Sequence, residues 1–83
     1  MNIDAKQAVE IAANYYKAIA AESQKLSVEE IEMDDAGSHW LITLGIGEPF
    51  SAIQFTTGQA KSFKIFKIDA NTGEVKSMKI RKV

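Results

Sequence analysis

There is no cysteine anywhere in the chain, which on chemical grounds excludes disulfides, thiolate metal ligands, cysteine nucleophiles and thiol redox switching. A single histidine, His39, then leaves zinc without a ligand set. Proline occurs once and glycine five times in 83 residues, too few for a disordered or low-complexity chain. Nowhere do 18 apolar residues follow one another, so no membrane insertion is expected. The opening residues lack a basic stretch followed by an apolar run, and as written the chain reads as cytoplasmic. A chain trimmed of a signal peptide would read the same and be secreted, which leaves localisation unknown.

What is present is ordinary for a globular protein, with 46% hydrophobic and 25% charged residues. At 83 residues, a single domain covering 1–83 is expected. Net stability at this size is on the order of 4–12 kcal/mol. Such a core has little room for a deep catalytic cleft.

Ala5, Ala8, Val9, Ala12, Tyr15, Tyr16, Ile19 and Ala20 recur at three- and four-residue steps, the pattern of one apolar helical face. Asp4 and Gln7 have capping-box spacing, and Ile3 and Ala8 stand at staple positions. The helix is predicted to start near residue 5 and to fade over 21–24. From Leu26 the period changes to alternation, Leu26 and Val28 and then Ile31 and Met33 one residue out of step, as a bulge near Glu29 and Glu30 would produce. Asp34-Asp35-Ala36-Gly37-Ser38 is a turn signal.

A second strand is predicted over 39–46, with Trp40, Ile42, Leu44 and Ile46 toward the helix. The signal weakens over 47–60, where Ile53 and Phe55 suggest a short strand and Thr57-Gly58 a turn. Two β-rich runs, 61–69 and 74–83, flank Ala70-Asn71-Thr72-Gly73, whose glycine can take the left-handed position of a hairpin turn. The fold class is therefore α+β: one N-terminal amphipathic helix packed on a four- or five-stranded antiparallel meander sheet.

No motif supplies catalysis or a cofactor site, and neither an enzyme nor a metal protein is expected. Ser38 and His39 are adjacent, but no stretch offers the orienting carboxylate and oxyanion hole that a serine nucleophile needs. Asp34 and Asp35 lack the spaced acidic ladder of a calcium loop. Gly45 and Gly47 precede Glu48-Pro49 rather than a helix start, so they do not form a phosphate cradle. No cofactor is predicted.

Charge is divided along the chain. Residues 1–60 hold three basic and nine acidic residues, and 61–83 hold seven basic and two acidic. Within 61–83 the bases interleave with Phe63 and Phe66, a pattern that single-stranded nucleic acid could use. The pI near 5.7 and the need of those rings for the core argue against that partner. Phe63 and Ile65 point to one strand face while Phe66 and Ile68 point to the other. Either a bulge between Ile65 and Phe66 resets the alternation, which is the expectation adopted, or a second apolar face meets a partner, such as another copy of the chain.

The string Phe66-Lys67-Ile68-Asp69-Ala70-Asn71-Thr72-Gly73-Glu74-Val75, with Ala8, Val9, Ile11 and Ala12 in the helix, resembles the PepSY domain. Members of that family combine a helix with an antiparallel sheet and often carry a hairpin of this type. The resemblance covers about half of the chain. It implies a non-catalytic module, often secreted or membrane-associated, suspected of restraining peptidases or mediating protein contacts. It implies no catalytic residue, and Asp69, Thr72 and Gly73 would serve the turn.

These readings converge on a small interaction or regulatory module that meets an unidentified protein partner, or itself, through Phe63, Lys64, Phe66, Lys79 and Arg81. The alternative is a small-ligand domain with a pocket between helix and sheet lined by Tyr15, Tyr16, Trp40 and Phe63.

Overall fold

A computed structural model of the protein describes residues 2–20, 25–47 and 62–81. The chain runs through one helix, α1 (Ala5–Ile19), and four strands, β1 (Leu26–Met33), β2 (His39–Ile46), β3 (Ser62–Asp69) and β4 (Val75–Arg81). The expected strand at Ile53 and Phe55 and the turn at Thr57-Gly58 lie outside the described residues. The sheet has the order β1-β2-β3-β4 with every neighbour antiparallel, a meander.

Local chemistry starts the helix as its spacing predicts. The Asp4 carboxylate accepts from the Gln7 N–H at 2.8 Å, and the Gln7 side chain accepts from the Asp4 N–H at 2.8 Å. The helix closes at Ile19, with Ala20 already extended, ahead of the predicted end. Its 15 residues span about 22 Å at 1.5 Å each, close to the length of the eight-residue strands beneath it, so its end coincides with the end of the surface it covers.

Two main-chain groups of Ile3 fix where the helix enters. The Ile3 N–H donates to the Ala70 carbonyl at 2.7 Å, and the Trp40 indole N–H donates to the Ile3 carbonyl at 3.1 Å. The first helical turn is thereby held over the end of the sheet where β2 begins and β3 finishes. From there Ala8 and Ala12, both fully buried, let the helix backbone lie close on Ile42, Leu44, Ile46, Phe66 and Ile68.

The sheet register decides which side chains share that face. Trp40, Ile42 and Leu44 pair with Ile68, Phe66 and Lys64, and these pair in turn with Val75, Met78 and Ile80. On the other side of β2, Leu26, Val28, Ile31 and Met33 complete the helix-side surface. The β1 register shifts between Val28 and Glu30, as the broken alternation predicts. β3 itself runs without interruption against β2, so the bulge expected between Ile65 and Phe66 is not there. The extra residue sits instead in β4, where Lys76 is skipped as Lys67 pairs with Ser77 and Ile68 with Val75.

Candidate functional site

Because β3 is unbroken, Phe63, Ile65 and Lys67 lie opposite Gly45, Thr43 and Leu41 on the face away from the helix. Glu30 and Glu32 flank this outer face on β1, and Lys79 and Arg81 flank it on β4. It is therefore apolar in the centre, acidic along one margin and basic along the other.

Much of the outer face is occupied by the chain's own side chains. The Ser27 hydroxyl donates to the Glu29 carboxylate at 2.5 Å directly above Gly45. A Cβ on Gly45 would fall 2.8 Å from Ser27 Oγ and 2.7 Å from Glu29 Oε2. Thr43 is buried, Leu41, Phe63 and Ile65 are half-buried, and the Arg81 guanidinium reaches the Glu30 carboxylate.

The helix side exposes more apolar surface, for a reason of width. Strands lie about 4.8 Å apart, so four of them are roughly 14 Å across between the outer axes, while a helix with its side chains is about 10–12 Å wide. One helix covers the middle of the sheet and only part of each margin, where Leu26, Val75 and Met78 pack against the core and other side chains stay exposed. Val28 and Ile31 of β1 are 48% and 46% exposed, and Ile80 of β4 is 68% exposed.

Beside β1 the gap between helix and sheet opens into a half-open cleft of about 310 Å³, lined by Val9, Ala13, Lys17, Leu26, Ser27, Val28 and Leu44. The lining is mostly aliphatic, and Lys17 brings the charge. β1 has no strand on its other side among the described residues, so its main-chain edge runs along the cleft.

The residues singled out from sequence do not gather in one place. Phe66 is fully buried in the core, its ring edge-on to Tyr15 at 6.3 Å between centroids, and is therefore no contact residue. Lys64 lies on the helix side, between Leu44 and Ile80 in register, whereas Phe63, Lys79 and Arg81 lie on the outer side. A stacking platform built on both phenylalanines is thus ruled out by the pleat. Tyr15, Tyr16 and Trp40 do not line the cleft. Val28, Ile31 and Ile80 stand on the helix side of the sheet by register, and their exposure follows from helix width.

The carboxylate missing from the sequence motif is present in space. Asp34 Oδ2 lies 3.2 Å from both Ser38 Oγ and His39 Nδ1, and Ser38 Oγ is 2.9 Å from the same Nδ1. Carboxylate and hydroxyl meet on one ring nitrogen, whereas a relay needs them on opposite nitrogens. Asp34 also accepts from the Ser38 N–H at 2.8 Å and the His39 N–H at 3.2 Å. Chiefly for the Ser38 bond, its carboxyl is lowered from 3.8 to about 2. The cluster is a turn clamp.

In the second hairpin the Asp69 carboxylate accepts from the Thr72 and Asn71 N–H groups at 2.9 and 2.8 Å, which holds its pKa below the ordinary value. Gly73 takes φ 79°, as the turn requires. Lys76, at the β4 bulge, pairs with Glu74 at 3.0 Å, which raises its pKa. No group of three potential metal-ligating side chains occurs among the described residues, and no helix there is long and apolar enough to cross a membrane.

Comparison with protein-family models, with curated proteins and with solved structures finds no match to this chain.

Proposed function

We propose that this protein is a small non-catalytic interaction module whose working surface is the β1 margin on the helix side. The observation that carries this reading is the coincidence of three features: a β1 edge with no neighbouring strand among the described residues, the exposed Val28 and Ile31, and the aliphatic cleft between α1 and β1. An extended segment added to a sheet edge draws affinity from main-chain hydrogen bonds and specificity from pockets that take alternate side chains. Here the inward positions meet aliphatic carbon. The outward positions meet Glu30 and Glu32, so the segment that fits alternates apolar with basic residues.

The resemblance of the helix and of the Phe66 to Val75 hairpin to the PepSY domain supports the same class of function, and a peptidase is one partner it suggests. A small-ligand domain is the second reading, favoured by a cleft volume at the lower end of the roughly 300–1,000 Å³ typical of ligand pockets. The cleft's half-open form suits a chain segment better than an enclosed molecule.

Titration of the ¹⁵N-labelled protein with a synthetic peptide alternating isoleucine and lysine tests the proposal. Amide shifts confined to β1 and the facing side of α1, and lost in Val28→Asp, are expected. Saturating peptide that leaves those amides unmoved would sink the reading.

A further inference from the structure

The two outer strands complement each other. Three antiparallel steps separate β1 from β4, so the two run in opposite directions. A second copy placed alongside would thus set its β4 against β1 in the same antiparallel sense as every other pair in the sheet.

Main-chain groups are correctly turned for such an addition. The Asp34 N–H donates to the His39 carbonyl at 3.0 Å, which by alternation turns Glu32 and Glu30 toward β2 and leaves the N–H and carbonyl groups of Ile31 and Met33 facing outward. The Ala70 N–H donates to the Ser38 carbonyl at 2.9 Å, so Ile68, Phe66 and Lys64 face β2 and Lys67, Ile65 and Phe63 face β4. Their partners Ser77, Lys79 and Arg81 face β3, which leaves Met78 and Ile80 turned outward. The bulges at Glu29 and Lys76 interrupt each edge just before these stretches, not within them.

Side chains match in the same register. With Ile80 opposite Ile31, Met78 falls opposite Met33 on the helix side, while Lys79 falls opposite Glu32 and Arg81 opposite Glu30 on the outer side. Apolar meets apolar on one face, and opposite charges meet on the other. Pairing β1 with β1 would put glutamates together, and pairing β4 with β4 would put cations together. Arg81 and Glu30 already pair within one copy. Lys79 and Glu32 enter no side-chain hydrogen bond or ion pair among the described residues and are free to discriminate.

We propose that the protein self-associates edge to edge, with residues 78–81 of one copy added to residues 30–33 of the next. This rests on the reading of β1 as the working edge, and names a second copy as its occupant. The interface is heterologous, so each copy keeps one edge free and assembly proceeds to chains rather than stopping at a closed dimer.

Sedimentation velocity over a wide concentration range tests it. The wild-type mass is expected to climb steadily with concentration. Lys79→Glu and Glu32→Lys, both exposed and both expected to keep the wild-type circular dichroism, each place like charges across the interface and should remain monomeric. Mixed in equal amounts they should associate again, since each supplies the complement the other lacks. Wild-type protein that stays monomeric, single variants that associate as wild type does, or a mixture that fails to recover overturns the proposal. A monomeric wild type that still binds the isoleucine-lysine peptide overturns self-association alone. One that binds neither overturns the function proposed for the β1 margin as well.

Discussion

Arg81 of β4 and Glu30 of β1 meet in an ion pair although two whole strands, β2 and β3, lie between them. A long guanidinium stem and a glutamate must lean toward each other over the outer face to do this, and the curl of a twisted sheet brings its margins closer. The pair joins the acidic and basic segments that are separated in the sequence. Both side chains are more than a third exposed, so its contribution is modest, about 0.2–1 kcal/mol. A double-mutant cycle with Arg81→Ala and Glu30→Ala, followed by urea unfolding, should return a coupling in that range that shrinks as salt is added. A coupling that is unchanged in high salt would mean that the two residues interact through packing and not charge.

Phe63 and Phe66 separate the two faces energetically. Phe66 is 0% exposed, and Phe66→Ala should cost about 3–5 kcal/mol, a large share of the stability of so small a domain. Phe63, half-buried on the outer face, should cost about 1–2 kcal/mol. Chemical unfolding of both variants measures the ratio, and equal costs would show that the outer face is packed as tightly as the core.

The sequence pattern is informative about the sheet because alternation and turn chemistry are local. The Asp4 and Gln7 cap, the β1 bulge and both hairpins were readable for that reason. Which residues remain uncovered is a different kind of fact. Val28, Ile31 and Ile80 carry the same periodic signal as Leu44 and Ile68, and only the placement of a narrow helix over a wider sheet tells them apart. The clash of Phe63 and Ile65 with Phe66 and Ile68 was also visible in sequence, but its resolution depended on β4, where Lys76 takes up the extra residue and leaves β3 straight. The turn over 34–38 is legible, but the contact of the Asp34 carboxylate with the His39 ring depends on the side-chain rotamers the folded turn selects, which no local pattern specifies.

Gly37 and Gly73 both adopt positive φ, 72° and 79°, but their surroundings differ. A Cβ on Gly37 would meet nothing within 4 Å, so Gly37→Ala should cost only the backbone strain, about 1 kcal/mol. On Gly73 it would lie 3.1 Å from Ile11 Cδ1 and 4.0 Å from Ile3 Cγ2, the residues that seat the helix. Gly73→Ala is expected to lower the thermal midpoint further than Gly37→Ala does. Pairing it with Ile11→Val should recover part of that difference if the clash is the cause.

Acid should act on the first hairpin through Asp34. Its carboxyl stands at about 2 in the folded protein against an ordinary 3.8, held down first by the Ser38 N–H, with partial desolvation opposing and the His39 N–H and ring and the Ser38 hydroxyl adding to the effect. A carboxyl whose pKa is lower when folded stabilises the fold fully above its unfolded value, and that contribution disappears as pH falls toward the folded one. Asp34→Asn removes the titration while keeping an oxygen to accept from the Ser38 N–H. Wild type should therefore exceed Asp34→Asn in stability at pH about 5, and the margin should narrow between about 4 and 2. Asp69 titrates in the same direction but is present in both proteins, so the difference isolates Asp34. Urea midpoints measured at a series of pH values read this directly. A margin that persists to pH 2 would show that the clamp holds through the shape of its hydrogen bonds, without need of the charge.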